Sequence, residues 1–351
     1  MLEKTALGVG QTLASQGIIH GGTKYALTGK LTGSSEAVRA MPERWKQHLS
    51  ASAQPDLSAC KMTTRCQLMW DLGGISARVS SFFASKVMSS RVRSMKADER
   101  PAFLRDKAVY ELQEPVLDVH SLLSVLSAQN NSALFRAEVL AIKQSGDSIA
   151  LELSHNGELT TIESKSVVSC AGAGNEILQQ HPMQRRPLHM VMVKGGLPEL
   201  WGHVIEANAN PVLTITTHHD SSGDVVWYIG GQIAEDGINL DRAALIERSR
   251  RELQAMFPML DWTKKQWATL VVDLAEGLQP GNVRPDQPVI QREGGVITVW
   301  PTKLVFAPLV ADEVLAMVSG MRLEPGADDA VMPELPAVEV GGYPWDRAEW
   351  I

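Results

Sequence analysis

Four short stretches of this chain carry groups whose types and spacing could do chemistry. Arg284-Pro285, followed by Asp286 and Pro288, presents a guanidinium whose planar fork matches a carboxylate or a phosphate. Thr302, Lys303 and Leu304 precede an expected helix, so an ammonium and a helix N-terminus together would stabilise negative charge on a bound ring. The run Gly17 to Gly22 lets backbone approach a planar ring and offers N–H groups to it, with His20 inside it as a proton acceptor. Gly172-x-Gly174 lies between a strand and a helix but lacks the third glycine of a phosphate fingerprint. Each has a structural alternative: a salt-bridged loop arginine, a solvated lysine, a surface turn, a hydrogen-bonded buried histidine. His218-His219-Asp220 has metal-ligand types, but adjacent strand residues point to opposite faces, which discounts a shared ion.

The elements that must position these groups follow from periodicity and turn signals. Gly8 to Gly33 reads as a loop lying against a ligand, followed by a helix from Ser35 to Leu49. Ala59 to Trp70 reads as a strand, Ile75 to Met88 as a helix, and Arg91 to Arg105 as a solvated linker or short helix. Leu122, Leu123, Val125 and Leu126 have helical spacing. Three β-rich runs follow, Ala133 to Gln144, Ser148 to His155 and Leu159 to Cys170, with Asn156-Gly157 as a hairpin turn and a helix from Glu176 to Gln180 after the last. Strands at His189 to Lys194, Val212 to His218, Val225 to Gly230 and Ala268 to Asp273, with a helix at Asp241 to Met256, predict an antiparallel sheet with a covering helix. Val296 to Trp300 reads as a strand and Ala311 to Val318 as a helix; the Pro- and Glu-rich tail from Leu323 is expected to be poorly ordered.

Bulk composition narrows the class. At 351 residues two domains are the default. An apolar fraction of 44% with 21% charged residues is that of an ordinary globular protein, and a net charge of −7 gives no reason to expect nucleic acid as a partner. Cys60, Cys66 and Cys170 have no metal spacing, cannot all pair, and read as packing residues of a reducing compartment, so a cytoplasmic protein is expected. No basic region leads into an apolar core at the start, so no signal peptide is expected. The most apolar stretch, Val296 to Met321, is broken by Pro301, Lys303, Pro308, Asp312 and Glu313, so no integral membrane segment is expected either.

Four segments in order resemble the FAD-dependent oxidoreductases of the D-amino-acid-oxidase and glycerol-3-phosphate-dehydrogenase type. They are Ser15 to Tyr25, like the loop beside the flavin ring; Val167 to Gly174, like the strand-end turn near the dinucleotide; Val226 to Gly231, in the substrate sheet; and Trp300 to Pro308, with its following helix. The resemblance implies an α/β protein, α+β overall, with a Rossmann-like FAD domain (1–50, 108–186, 295–322), an antiparallel substrate domain (51–107, 187–294) and a C-terminal tail (323–351). It implies FAD contacts from Glu3, Lys4, Gln11, Thr12, Ser15, Gln16, Gly17, Val139, Ala171, Gly172, Thr302, Lys303 and Leu304, with Glu3 on the ribose and Val139 near the adenine. His20, Tyr228 and Arg284 are the implied catalytic set. The implied reaction is oxidation of a small C–N or C–OH substrate by hydride transfer to flavin, reoxidised by oxygen, a quinone or a protein; a quinone would bring the chain to a membrane surface.

One departure from that pattern stands out. Leu2-Glu3-Lys4 resembles the end of the second Rossmann strand, whereas the family's glycine turn lies about 20 residues earlier. The expectation is an N-terminally truncated Rossmann unit, with Met1 an internal methionine of a longer reading frame and FAD bound weakly or not at all. The alternative function is therefore a non-catalytic remnant that keeps the substrate sheet without the cofactor.

Overall fold

Strand periodicity decides most of the architecture. In Val225–Gly230, Trp227 and Ile229 point one way and Val226 and Tyr228 the other, and all four are buried. A strand buried on both faces has to lie inside a covered sheet. The computed structural model describes residues 1–22, 33–72, 91–178, 181–205, 211–300, 303–321, 323 and 333–351. They form two units: Met1–Thr12, Leu122–Arg186 and Asp273–Gly341 in the first; Leu13–Ser121, Pro187–Val272 and Gly342–Ile351 in the second.

The second unit is organised by an eight-stranded sheet among the described residues. Its spatial order is Gln266–Gly277, Met183–Lys194, Val225–Gly230, Pro211–His219, Gly202–Ile205, Gln67–Asp71, Val109–Leu112 and Val92–Ser94. Gly202–Ile205 runs parallel to Gln67–Asp71, whereas Pro211–His219 pairs antiparallel with both of its neighbours. Val191, Val193, Ile215, Trp227 and Ile229 project from one face onto Leu245, Ile246 and Leu253 of the helix Arg242–Met256 and onto Phe257. Asp241 starts that helix by accepting the Ala244 amide at 2.8 Å. The other face carries Met190, Met192, Thr214, Thr216, His218 and Tyr228, and it too is buried.

The first unit contains a three-stranded antiparallel meander, Glu138–Ser145, Ser148–His155 and Glu158–Ser164. Asn156 and Gly157, both at positive φ, make the tight turn that their dipeptide predicts. Ile149, Leu151 and Leu153 alternate inward from the middle strand. Two parallel pairings accompany the meander: Leu2–Glu3 on Phe135–Arg136, and Val167–Ser169 on Val296–Trp300, with Val289–Glu293 antiparallel on the latter. Among the described residues these remain separate small sheets rather than one continuous Rossmann sheet. The architecture is thus mixed α/β, with a large, mainly antiparallel sheet as expected.

Several local readings need correction. Ala59 to Trp70 is two strands, Met62–Thr64 and Gln67–Asp71, because the Thr64 hydroxyl donates to the Cys66 carbonyl at 2.8 Å and bends the chain between them. Within Arg91 to Arg105, Val92–Ser94 is an edge strand on Val109–Leu112, where Arg93 faces Glu111 and pairs with Glu99 at 2.8 Å. The helix expected over Ala311 to Val318 runs over Ala307–Gly320, with Pro308 in its first turn. From residue 333 onward the tail is tied down; 324–332 lie outside the described residues. Residues 333–341 add backbone bonds to Leu7 and Arg136 in the first unit, and Trp345 is buried in the second. Composition misled here because one aromatic anchor outweighs its Pro- and Glu-rich flanks. The helix expected over 75–88 lies outside the described residues.

Trp345 is 1% exposed, and its indole donates to the His219 carbonyl at 3.1 Å. Replacing Trp345 with Ala is expected to cost about 3–5 kcal/mol of stability, read as a lower urea midpoint.

Candidate active site

The glycine-rich loop is placed by its own backbone. Ile19 donates to the Pro115 carbonyl at 2.9 Å, Leu117 donates to the Gly17 carbonyl at 2.9 Å, and Ile18 forms a bridge with Val116. Gly17 has a φ of 73°, and a Cβ there would stand 2.2 Å from the Leu117 carbonyl oxygen. This glycine is required by a close strand approach, a different reason from the ring approach that its motif suggests. Ser15 accepts the Gly17 amide at 3.2 Å, and Gly21 donates to the Glu114 carboxylate at 2.8 Å. His20 sits half-buried between Ile19, which is fully buried, and Gly21.

Gln16 and Tyr228 bind this loop to the polar face of the sheet. The Gln16 amide donates to the carbonyls of Tyr228 and Thr214 at 3.1 and 3.2 Å. The Tyr228 hydroxyl in turn donates to the Ala14 carbonyl at 2.9 Å. Burial raises the Tyr228 phenol far above its ordinary range, so it stays neutral. Tyr228 therefore acts here as a brace, with its one proton already committed. Next to it, His218 shares a hydrogen bond with the Thr216 hydroxyl at 3.0 Å and stacks on Trp345 at 4.2 Å. Tyr343 stacks on the same indole at 4.5 Å and donates to Asp118. His219, the next residue, is exposed, in keeping with the opposite-face argument against a shared metal.

Burial lowers the His218 imidazole from 6.5 to about 3, with Asp118 opposing. The unfolded chain takes up this proton below 6.5 while the folded chain refuses it until about 3. Stability therefore falls as pH falls through that window, by at most about 1.4 kcal/mol per pH unit. Urea midpoints of His218→Gln across this range are expected to show a shallower acid slope.

The remaining expected residues lie in the first unit. Glu3 accepts the Thr5 amide at 3.1 Å, Lys4 pairs with Glu138 at 2.6 Å, and Gln11 accepts the Ala275 amide at 3.0 Å. Thr12 is exposed, and Val139 packs partly against the meander core. Ala171 and Gly172 form the turn at the carboxyl end of Val167–Ser169, the end of a parallel strand where α/β folds bind ligands. Gly172 has a φ of 55°, and open space surrounds the position of its missing Cβ. Behind the turn, Ser169 donates to Asn175 at 2.6 Å and lies in register with Thr298. The Asn175 Nδ2, Thr298 Oγ1 and Trp300 Nε1 atoms are buried without a partner among the described residues.

The charged centre of this unit surrounds Lys303. Arg284, Asp286, Glu276 and Arg186 all act electrostatically on its ammonium. Desolvation first, and then the Arg284 cation, lower Lys303 from 10.5 to about 8. Arg284 is exposed and makes no ion pair among the described residues, while Pro285 behind it is buried. Leu304 opens a short 3-10 turn ahead of the helix Ala307–Gly320; Thr302 lies outside the described residues. Sequence reasoning missed Gln184, Arg186, Glu276, Asn175 and Thr298. The available signal was an acid, Glu276, near the end of the strand Gln266–Gly277 between the apolar Leu274-Ala275 and Gly277. With ¹³C-methylated lysines, one NMR resonance is expected to titrate near 8 and to vanish in Lys303→Arg.

These features define a flavoenzyme architecture, and the chain belongs to a family of FAD-dependent oxidoreductases. It is 41% identical over 360 residues to the probable FAD-dependent oxidoreductase PA4991 of Pseudomonas aeruginosa, covering 99% of this chain and 91% of that one. The crystal structure of PA4991 superposes with a TM-score of 0.81 at 36% identity, over 99% of this chain and 90% of that one. Glycine oxidase from Geobacillus kaustophilus (TM-score 0.61, 16% identity, 95% and 92% covered) shares the fold. So does iminodiacetate oxidase from Chelativorans sp. BNC1 (TM-score 0.60, 15% identity, 97% and 93% covered). No protein-family model matches the chain. Among the described residues no helix is long and apolar enough to cross a membrane.

Proposed function

We propose that this chain is an FAD-dependent oxidase or dehydrogenase acting on a small amine that carries an anionic group. The observation that carries this reading is the exposed Arg284 guanidinium beside the Lys303 ammonium, in the unit that also holds the open Ala171-Gly172 turn. The FAD-dependent relative and the oxidases of the same fold support the cofactor and an amine substrate.

The residues present fit the cofactor. Gly172 leaves room where a side chain would stand, and Asn175, Thr298 and Trp300 keep buried polar atoms without protein partners among the described residues. Glu3 would take ribose hydroxyls, and Val139 would meet the adenine through backbone. Lys4, Gln11, Thr12, Ala171, Gly172, Thr302, Lys303 and Leu304 would complete the set in the first unit. Bound FAD supplies the two-electron acceptor.

The chain's own groups would orient and neutralise. Arg284 holds the anionic end of the substrate two-pronged, which fixes the carbon to be oxidised. Lys303, with its lowered affinity for a proton, compensates negative charge that builds up during the reaction. Oxidation of an amine to an imine removes a hydride from carbon and a proton from nitrogen; His20 is our assignment for the proton. Tyr228, expected beside it, is reassigned to bracing the loop through Ala14.

The test is the visible spectrum of the purified chain before and after FAD addition and desalting. Retained flavin, close to one per chain, supports the reading. A colourless protein favours the alternative, a folded chain that keeps the substrate sheet without a cofactor. In the flavin-loaded protein, Arg284→Ala is expected to raise KM for an anionic amine about 10–100-fold and leave a neutral amine nearly unchanged. Oxygen uptake, compared with reduction of a soluble quinone, identifies the acceptor.

A further inference from the structure

Gln184 lies two residues before Arg186 on the strand Met183–Lys194, so both side chains leave the same face. Both reach the Glu276 carboxylate. Arg186 approaches it two-pronged, at 2.8 Å to one oxygen and 3.2 Å to the other, and Gln184 donates to it at 3.2 Å. Glu276 is 1% exposed, so removing either donor leaves a buried anion poorly compensated. A carboxylate only accepts, so it turns the Gln184 NH2 toward itself and leaves the amide oxygen pointing the other way.

That fixed amide grips both ends of one loop. The Gln279 amide donates to Gln184 Oε1 at 3.0 Å, and Gln184 Nε2 donates to the Val283 carbonyl at 2.9 Å. Between them stand Gly281 and Asn282, at φ values of 73° and 53°. Glycine and asparagine are the residue types that accept this left-handed backbone most readily, so the turn closes without strain and the Gln184 amide fixes its two ends. Arg284 comes immediately after the gripped carbonyl, and buried Pro285 follows.

We propose that Gln184, oriented by the Glu276–Arg186 pair, is a positioning residue that fixes the Arg284 loop and thereby sets affinity for the anionic group of the substrate. The proposal rests on the reading of Arg284 as the anion-binding group. Gln184 touches neither anion nor cofactor in this scheme; it acts through the loop. Its contribution is preorganisation, because an arginine held in one place loses less freedom when it binds.

The test uses the full chain with FAD added and benzoate as the carboxylate probe, followed by isothermal titration, together with hydrogen exchange of the 279–286 amides. In Gln184→Leu, exchange at the Gln279 amide is expected to rise about tenfold or more, and benzoate affinity to fall about tenfold. FAD content should stay unchanged. Glu276→Gln, which keeps the shape and removes the charge, is expected to give a smaller shift in the same direction. Adding Gln184→Leu to Arg284→Ala should cost no further affinity. An equal loss in both backgrounds, or unchanged exchange at Gln279, overturns the proposal. Should Arg284→Ala bind benzoate as tightly as the unsubstituted chain, the anion-binding reading falls and takes this proposal with it. The exchange data would then still show separately whether Gln184 grips the loop.

Discussion

The second unit depends on one constraint: a sheet covered on both sides cannot leave the polar side chains of its second face to water. Thr214, Thr216, His218 and Tyr228 all lie on that face and are all buried. Unpaired, each would cost on the order of 1–3 kcal/mol. The chain meets this with His203 on the Thr214 hydroxyl, Gln16 and His218 on the Thr216 hydroxyl, and the Ala14 carbonyl on Tyr228. The glycine-rich loop is therefore fixed as a consequence of satisfying the sheet. Its position is inherited from the buried face of the sheet, which suits a segment expected to lie near a reactive ring.

Polar burial is handled in two ways within the first unit. Around the Ala171-Gly172 turn, Asn175, Thr298 and Trp300 keep buried polar atoms that no described residue answers. Around Arg186 and Gln184 the opposite holds: every donor and acceptor of the Gln184 amide is used. Complete networks hold shape, whereas incomplete ones mark where a ligand or water must contribute.

Much of the scaffold was legible in the sequence. Val225–Gly230, Val296–Trp300 and Ser148–His155 are β-branched or alternating runs bounded by turn residues, and each forms the strand expected. The network around Glu276 was hidden because that acid lies 90 or more positions from Gln184 and Arg186, and spacing rules see only neighbours. Tyr228 was placed on the right strand, but the partner of its hydroxyl, a backbone carbonyl 214 positions away, lay beyond any spacing rule. Gly17 shows the same limit: its type was informative, but the atom that demands it, the Leu117 oxygen, belongs to another strand. Arg93 looked like part of a solvated run until cross-strand Glu111 gave it a ladder position.

The strand Gln266–Gly277 stands at one end of the large sheet. Such a rim normally offers unpaired amides and carbonyls to any extended peptide that drifts by. Here Ile351 lies along it: Trp267 donates to the Ile351 carbonyl at 2.9 Å, and Ile351 returns a bond at 3.0 Å. Ile351 is thus a selvedge, a stitch that closes the border of the sheet at Trp267 against a sideways neighbour.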